Sequence, residues 1–269
     1  MPKIPVSDLP LYYESHGEGA PLVLIPGLGG GLWLWFKQIP DLSNRFRVIA
    51  FDPRGIGQSD SPAGPFSVKQ LAGDVAGLLQ SLEVRRAHVV GASLGGFVAQ
   101  EFAVEYPEMT GCLVLCCTSF GGRNHVSPPA EVVLAISAAD ALDSRERAEK
   151  NLGLVFSPHY VNQHPEEIQR IIQLRLSCAV PSISYIRQVQ AVVGFDAEAR
   201  VGQIKSPTLV MTGDQDLMVP PENSRNLAGR IPNARLEIFE GGGHSFFIEQ
   251  AERFNRVVME FVLENGTTA

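Results

Sequence analysis

The sequence predicts an α/β protein with a mostly parallel sheet that is covered by helices on both faces. The first observation is that short apolar runs, bounded by turn residues, alternate with longer segments of helical periodicity. The second is that the short runs are almost continuously apolar, as strands of a parallel sheet must be when both faces are buried. The third is the segment 122–200, which has helical periodicity and no strand signal. This segment predicts a helical insertion in the α/β pattern.

The N-terminal half supplies most of the strand candidates, at 11–15, 21–25, 47–51, 87–90 and 111–117. The first two are joined by a short link that contains glycine, and such a link between two apolar runs predicts a hairpin. A helix is predicted over 67–82, where apolar residues recur on one face. A second helix is predicted over 94–106, and Pro107 ends it.

The same alternation returns near the C-terminus, with strand candidates at 208–211 and 235–239 and helix candidates at 221–229 and 250–263. Within 122–200 the helical segments are 130–139, 144–154, 183–193 and one that begins at Pro165. Proline in the first position, followed by acidic residues, is typical of a helix N-terminus. We therefore expect a core domain formed by 1–121 and 201–269, with 122–200 as a helical cap (lid) over the carboxyl edge of the sheet.

The composition excludes several classes of protein. Hydrophobic residues make up 45% of the chain and charged residues 19%, which is too apolar for a disordered chain. The formal net charge is −7 and no dense run of lysine or arginine occurs, so we expect no nucleic-acid partner. No apolar stretch of about 18 residues occurs, and the first residues lack the features of a secretory signal. We therefore expect a cytoplasmic protein with no membrane partner.

Four cysteines are few for a chain of this length, and Cys112, Cys116 and Cys117 lie in one strand candidate. Zinc ligands usually come from turns at fixed spacings, so this arrangement favours buried free thiols in a reducing cytoplasm. We expect neither a metal ion nor an organic cofactor.

The segment 91–95, Gly-Ala-Ser-Leu-Gly, joins a predicted strand to a predicted helix. A serine at the centre of such a junction lies on a strained turn that raises its hydroxyl above the sheet. Glycine is needed on both sides of it, because a Cβ there would collide with the reversed backbone. The setting predicts that Ser93 is a catalytic nucleophile; an ordinary turn of small residues is the alternative.

A serine hydroxyl is a weak nucleophile at neutral pH and needs a base that is itself oriented by an acid. Asp214 and Asp216 follow the strand candidate at 208–211. His244 lies in a glycine-rich loop after the strand candidate at 235–239. Because the carboxyl ends of parallel strands meet at one edge of a sheet, we expect these side chains to lie near Ser93. Spacing alone leaves Asp214 and Asp216 both open. His88 lies inside a strand candidate, so we interpret it as a core residue.

Acyl transfer also needs backbone N–H groups that stabilise an oxyanion. One is expected from Leu94, the residue after the nucleophile, and the other from the loop 26–31, Pro-Gly-Leu-Gly-Gly-Gly. A dinucleotide-binding loop is the rival interpretation of these glycines. It is excluded because that motif needs glycine at position 32, which is Leu32, and because no Lys-Ser or Lys-Thr follows for a phosphate loop.

The order of these motifs resembles that of the α/β-hydrolase superfamily, and the likeness covers nearly the whole chain. The motifs are 26–31, 52–60 (Asp-Pro-Arg-Gly-Ile-Gly-Gln-Ser-Asp), 91–95, 213–220 and 243–244. The resemblance implies an α/β-hydrolase fold, with a mostly parallel eight-stranded sheet flanked by helices and an inserted helical cap. It also implies that Asp216 is the acid, because the family carries the acid in the fourth place of Gly-x-x-Asp-x-x-x-Pro. The resemblance further implies that Leu28 supplies the second oxyanion N–H, and that Arg54 holds a loop and does not act as a catalyst.

The resemblance further implies that Ser93, His244 and Asp216 form a triad which cleaves a small carboxylic ester or lactone through an acyl-enzyme. Carboxylesterases and lactonases similar to 3-oxoadipate enol-lactonase work on this plan. Carbon–carbon bond hydrolases of aromatic breakdown share it, but many of them have His-Trp where this chain has His244-Ser245. Haloalkane dehalogenases and epoxide hydrolases of this fold use an aspartate nucleophile, which this junction lacks. A ligand-binding, receptor-like member of the fold is a further alternative, which the complete triad disfavours.

Aromatic residues flank the predicted catalytic loops, namely Trp33, Trp35, Phe36, Phe246 and Phe247. We expect Trp33 and Phe246 to line an apolar substrate pocket, although positions in the core or against the cap explain such residues equally well. The expected partner is a small apolar ester or lactone. The sequence leaves the oligomeric state open between monomer and homodimer.

Overall fold

One sheet of eight strands organises the part of the chain that the computed structural model describes, residues 3–6, 9–139 and 144–266. The strands are β1 (Lys3–Val6), β2 (Leu9–His16), β3 (Ala20–Ile25), β4 (Phe46–Phe51), β5 (Ala87–Ala92), β6 (Thr110–Cys116), β7 (Thr208–Gly213) and β8 (Arg235–Phe239). Their order across the sheet is β1-β2-β4-β3-β5-β6-β7-β8, and all neighbouring pairs from β4 to β8 are parallel. The mostly parallel eight-stranded sheet is confirmed.

Different helices cover the two faces of this sheet. The helices are α1 (Gln38–Leu42), α2 (Val68–Ser81), α3 (Leu94–Glu105), α4 (Ala130–Ala139), α5 (Ser144–Val155), α6 (Pro158–Gln163), α7 (Pro165–Ser177), α8 (Ser182–Val193), α9 (Pro221–Arg230), α10 (Phe246–Glu249) and α11 (Ala251–Asn265). On one face α2, α3 and α9 pack with Val23 and Ile25 of β3, and on the other α1 and α11 pack with Leu22 and Leu24. Alternation along one strand thus buries both faces. Within the described ranges, no helix combines the length and the apolar character that crossing a membrane requires.

The predicted strands and helices agree with these bounds to within about two residues at each end. At α2, for example, the sequence predicts a start at Ser67, which instead caps the helix: its side chain accepts a hydrogen bond from the N–H of Gln70. The elements that were not predicted, β1, α1, α6 and α10, are short. A segment of one turn or of a few strand residues carries too little periodicity to be recognised.

The predicted hairpin between the strands at 11–15 and 21–25 is wrong. β2 pairs antiparallel with β1 and β4, whereas β3 pairs in parallel with β4 and β5, so β4 lies between two strands that are adjacent in sequence. The predicted turn does exist, since Gly17 has φ +74°. It passes close over the residues before β4, because a Cβ on Gly17 would lie 2.2 Å from the carbonyl oxygen of Ser43. A local turn signal therefore located the turn but not the pairing of the strands that it joins.

The chain between β6 and β7 forms α4 to α8 in the part that is described, and its strand pairing there is limited to one bridge between Gly121 and Asp196. These helices approach the carboxyl edge of the sheet. The N–H of Gly57 donates to the carbonyl oxygen of Ala179 at 2.7 Å. The helical character agrees with a cap, while the division of the chain at 121–122 and 200–201 stays a prediction. We call the described chain from α4 to α8 the insertion. Residues 140–143 of the expected cap lie outside the described residues.

Arg54 forms a buried ion pair with Asp74 of α2. Nε and Nη2 of the guanidinium donate to the two carboxylate oxygens at 2.6 Å each, and the side chains are 2% and 4% exposed. Such bidentate geometry fixes direction as well as distance. Arg54 therefore holds the segment after β4 against α2, as the resemblance implies.

Replacing Arg54 by methionine is expected to lower the free energy of unfolding by about 3–5 kcal/mol, because the carboxylate of Asp74 would stay buried without the guanidinium. Chemical denaturation followed by circular dichroism measures the change. The matched control is the double variant Arg54→Met/Asp74→Leu, which removes both charges and should recover most of the loss. A single variant as stable as the wild type would contradict the interpretation.

His88 and three of the cysteines, Cys112, Cys116 and Cys117, are buried as the sequence predicts. All four cysteines are free, and Cys178 alone among them is partly exposed. Burial raises the pKa of Cys112 to about 11 and that of Cys178 to about 12, so both thiols are neutral at pH 7. Nδ1 of His88 accepts from the N–H of Cys112 at 3.0 Å, and burial lowers the pKa of this histidine. His88 is therefore a hydrogen-bonded core residue.

Candidate active site

Ser93 lies on a strained turn between β5 and α3. Its φ is +55° and its ψ is −118°, a region that residues with a side chain rarely adopt. The chain can reverse there because the residues two positions before and two positions after Ser93 are both glycine. A Cβ on Gly91 would lie 2.2 Å from the carbonyl oxygen of Gly95, and a Cβ on Gly95 would lie 2.1 Å from that of Ile25. This is the strand–turn–helix junction that the sequence predicts, and it presents Ser93 at the carboxyl edge of the sheet.

Asp216 and His244 form a buried pair at the ends of β7 and β8. The Nδ1 atom of His244 lies 2.8 Å from Oδ2 and 3.0 Å from Oδ1 of Asp216. Oδ1 also accepts from the N–H groups of Met218 at 2.9 Å and Val219 at 2.8 Å, which fixes the plane of the carboxylate. Because an ionised carboxylate can only accept, Nδ1 carries the proton and Nε2 is left as an acceptor. The pair therefore orients an imidazole that can take up a proton.

Asp214 does not take part in this pair. It is exposed, and its Oδ1 accepts from the N–H of Gly241 at 2.7 Å. Asp214 thus braces the start of the loop that carries His244. The two aspartates that spacing left open have separate positions, and Asp216 is the one that faces the histidine.

The loop that carries His244 rests on the end of α5 and on the short link from α5 to α6. The N–H of Ser245 donates to the carbonyl oxygen of Val155 at 2.7 Å. On the other side of the histidine, the carboxylate of Glu249 accepts from the N–H of Gly243 at 3.0 Å and from the hydroxyl of Ser157 at 2.6 Å. A Cβ on Gly243 would lie 2.8 Å from the backbone nitrogen of Ser157, so glycine is needed for this approach. Residues of the insertion thus help to hold the histidine loop.

Ser93 and His244 line the same cavity, which has a volume of about 160 Å³. No hydrogen bond joins the two side chains within the described residues, and such contacts often tighten when a substrate binds. Most of the wall is apolar, with residues from the core and from the insertion, among them Trp33, Leu34, Phe156, Ile172, Met218 and Phe247. The expected position of Trp33 agrees with this wall.

The predicted pocket position of Phe246 is wrong. Its side chain is fully buried, and its ring centroid lies 4.6 Å from that of Phe239 and 6.0 Å from that of Phe254. Phe247, the next residue, lines the cavity instead. Consecutive residues of α10 point in different directions, since each residue turns a helix by about 100°. Trp35 is likewise fully buried in the core.

The wall residues that the sequence analysis missed come mostly from the insertion, namely Leu152, Val155, Phe156, Ile171, Ile172, Arg175 and Tyr185. The apolar face of α7, where Ile168, Ile171 and Ile172 are buried, was the signal that could have located some of them. The direction of that face could not be read without the position of the helix.

Leu28 and Leu94, the predicted oxyanion donors, follow the ends of β3 and β5, which are neighbouring strands. Leu94 is the first residue of α3 and follows Ser93 directly, and Leu28 lines the cavity. Within the described residues neither backbone N–H donates a hydrogen bond. A free N–H at the first position of a helix also lies at the positive end of the helix dipole. Both groups are thus available to a negatively charged oxygen.

Leu28 lies in a tight turn that the N–H of Gly30 closes on the carbonyl oxygen of Gly27 at 3.0 Å. Gly29 has φ +65°, as the third residue of a type II turn requires. The other end of the loop is held by Asp52, whose carboxylate accepts from the N–H of Leu32 at 2.8 Å. Burial raises the pKa of Asp52, and the hydrogen bonds from the N–H groups of Gln58 and Leu32 oppose this shift.

Among the residues that the structure describes, no group of three or more histidine, cysteine, aspartate or glutamate side chains is placed to hold a metal ion. The site instead combines a serine on a strained turn, an imidazole oriented by a carboxylate, an apolar cavity, and the backbone N–H groups of Leu28 and Leu94, which have no partner within the described residues. These are the parts that acyl transfer to and from a serine requires.

The fold and this arrangement define the class of protein as the α/β hydrolases. The sequence profile of the family described as alpha/beta hydrolase fold matches residues 20–147 and 123–251. The chain therefore belongs to the α/β-hydrolase family and has its eight-stranded fold.

Similar proteins within this family are named as hydrolases of different substrates. The chain is 29% identical over 262 residues to a Stutzerimonas stutzeri protein named "Putative carbamate hydrolase RutD", covering 94% of this chain and 97% of that protein. It is 33% identical over 269 residues to the 2-hydroxy-6-oxononadienedioate/2-hydroxy-6-oxononatrienedioate hydrolase of Burkholderia vietnamiensis, covering 95% and 92% of the two chains. The solved enol-lactonase of Burkholderia xenovorans superposes with a TM-score of 0.87 at 30% identity, covering 97% of this chain and all of that chain.

Proposed function

We propose that this α/β hydrolase is a serine hydrolase that cleaves a small carboxylic ester or lactone. The observation that carries the proposal is that Ser93, on its strained turn, and His244, paired to Asp216 at 2.8 Å, line one apolar cavity. A nucleophile and an oriented base at the same cavity wall are the minimum that covalent catalysis by serine needs.

In the proposed mechanism, Oγ of Ser93 attacks the carbonyl carbon of the substrate while Nε2 of His244 takes the hydroxyl proton. The electron pair of the C=O bond moves to oxygen, and the N–H groups of Leu28 and Leu94 stabilise the resulting oxyanion. When the C–O bond of the ester breaks, the imidazolium returns the proton to the leaving alkoxide. Water then attacks the acyl-enzyme by the same route and releases the carboxylic acid. The negative charge of Asp216 stabilises the imidazolium at both stages.

The walls of the cavity favour an apolar substrate. Apolar side chains offer no hydrogen-bond partners to a polar acyl chain, so burial of polar groups there would be unfavourable. A lactone suits the same site, since its acyl and alkoxide parts stay joined after ring opening. The solved enol-lactonase is one of the similar proteins whose names agree with this substrate class.

Carbon–carbon bond hydrolysis is the second candidate, favoured by the 33% identity to the Burkholderia vietnamiensis hydrolase over nearly the whole chain. Such an enzyme would use the same cavity and histidine, but it cleaves a C–C bond beside a carbonyl group.

A carbamate differs from an ester in having nitrogen in place of the carbon on the acyl side of the carbonyl group. It is the substrate class in the name of the Stutzerimonas relative. Both classes belong in the test of function.

An activity screen with covalent labelling tests the proposal. We expect hydrolysis of p-nitrophenyl esters with short acyl chains or of simple lactones, insensitive to EDTA, at rates above those for a carbamate and a vinylogous diketone. We also expect a fluorophosphonate probe to add to the peptide that contains Ser93, as mass spectrometry would detect. Labelling without turnover of any ester or lactone would favour the second candidate. Absence of both labelling and turnover would favour a ligand-binding member of the fold.

The remaining proposals concern the setting of the enzyme. We propose a small-molecule partner and no nucleic-acid partner, because the net charge is −7. We propose the cytoplasm as its compartment, because all four cysteines are free. Size-exclusion chromatography with light scattering would distinguish the monomer from the homodimer, which both stay open.

A further inference from the structure

Two hydrogen bonds hold the part of the loop 26–31 that lies next to Leu28. One is internal to the loop, from the N–H of Gly30 to the carbonyl oxygen of Gly27. The other comes from the insertion: the N–H of Gly29 donates to Oε1 of Gln188, in α8, at 2.8 Å. These residues are 159 positions apart in the sequence, and the hydrogen bond is buried.

The two hydrogen bonds hold the two peptide groups on either side of Leu28. The carbonyl of Gly27 and the N–H of Leu28 belong to one planar peptide group, and they point in opposite directions. Holding that carbonyl inside the turn therefore directs the N–H of Leu28 outward. The N–H of Gly29 belongs to the next peptide group, which Gln188 holds. Together the two hydrogen bonds determine both backbone dihedrals of Leu28.

The second peptide group is the one that a turn can reverse. Type I and type II turns differ mainly by a half rotation of the central peptide group, which here joins Leu28 to Gly29. Glycine at the third position allows either form, since it has no Cβ to forbid positive or negative φ. The loop sequence alone therefore does not decide the orientation. Gln188 accepts the N–H in the orientation observed here, and so favours it.

Gln188 is placed to do this by the packing of α8 on the core. Its side chain is 1% exposed, and Ser184 and Tyr185 are buried on the same helix face. The ring of Tyr185 lies 3.3 Å from the position that a Cβ on Gly29 would take, so α8 contacts the loop at both residues. Gln188 also borders a small cavity together with Leu94, the other predicted donor.

We propose that Gln188 is a positioning residue for the oxyanion hole, through which the insertion fixes the form of the turn that carries the N–H of Leu28. This inference rests on the proposed serine-hydrolase function. Gln188 touches no substrate atom in this scheme, because it acts through the backbone of Gly29. The insertion then contributes to the rate of the chemical step as well as to the walls of the pocket.

The test replaces Gln188 by methionine, which has nearly the same length and shape but no acceptor for the N–H of Gly29. The matched control is Gln190→Met, on the same helix at an exposed position. Rates are expressed per active site, counted by the end point of fluorophosphonate labelling, so that unfolded protein does not enter the result. Removing one oxyanion donor costs about 10²–10³ in kcat, and a donor that is only misdirected should cost less. We expect kcat of Gln188→Met to fall by about 10–100-fold with KM nearly unchanged, and Gln190→Met to behave as the wild type.

A second measurement separates positioning from packing. A trifluoromethyl ketone adds to the serine and forms an oxyanion, whereas the corresponding alcohol binds the same pocket without one. We expect Gln188→Met to weaken binding of the ketone by at least about tenfold more than binding of the alcohol. Equal weakening of both ligands, or unchanged kcat per labelled site, would overturn the inference. Failure of the serine-hydrolase proposal itself would give a different result, because the wild type would then show neither fluorophosphonate labelling nor binding of the ketone.

Discussion

Replacing Ser93 by alanine is expected to reduce kcat by roughly 10³-fold or more, with the fold intact. The variant lacks the oxygen that forms the acyl-enzyme, while the cavity and the oxyanion donors remain. The backbone should not change, since alanine has the same Cβ as serine and therefore the same strain at φ +55°. Initial-rate kinetics on the best ester or lactone measures the effect, and circular dichroism with the melting temperature verifies the fold.

The matched control for this experiment is Ser224→Ala. Ser224 is fully buried in α9, and its hydroxyl has no hydrogen-bond partner within the described residues. Its removal should leave kcat within about threefold of the wild type, because it lies outside the cavity wall. If Ser93→Ala retained more than a tenth of the wild-type kcat, Ser93 would not be the nucleophile. Loss of the fluorophosphonate adduct in the same variant would locate the label.

Asp216→Asn is expected to reduce kcat by about 10⁴-fold, the cost of the equivalent change in a serine protease triad. The structure gives the reason in atomic terms. Oδ1 of Asp216 accepts from the N–H groups of Met218 and Val219, so the amide oxygen of asparagine must take that position. Its NH₂ group then faces Nδ1 of His244, which must become an acceptor. The proton moves to Nε2, the atom that has to receive the proton of Ser93.

Asp214→Asn is the control, because Asp214 lies two positions away, is exposed, and contacts the N–H of Gly241 instead of the histidine. An amide oxygen can accept that hydrogen bond as well as a carboxylate oxygen can, so kcat should stay within about threefold of the wild type. The ratio of the two kcat values measures the assignment. A larger loss in Asp214→Asn than in Asp216→Asn would show that the acid has been misassigned.

Much of the sheet could be predicted because each of its central strands is a short apolar run, and because helices such as α2 are long enough for their periodicity to be clear. Strand pairing could not be predicted in the same way. The link between β2 and β3 has the glycines of a hairpin, yet β4 pairs with both of these strands. Pairing depends on the competition of all strands for the same edges, which no local pattern contains.

In the site, the motifs and their order located residues that need an unusual backbone conformation, such as Ser93 between Gly91 and Gly95. Side-chain direction was harder to predict. The spacing of Asp214 and Asp216 left both open, so that the choice of Asp216 rested on the resemblance. The position of His244 relative to each carboxylate separates the two. Phe246 and Phe247 are equally apolar, and one is in the core while the other lines the cavity. Gln188 had no sequence signal, because its partner is distant in the chain.

The contact between the loop that carries His244 and the end of α5 has a consequence for chimeras made from this protein and its relatives. Exchanging the whole insertion to alter substrate range would also exchange Val155 and Ser157, which meet Ser245 and Glu249 of the recipient. A chimera that replaces only the chain after α6, with Gln188 retained, keeps the native support of His244 and changes the wall formed by α7 and α8. The best crossover point therefore lies inside the inserted segment and not at its ends.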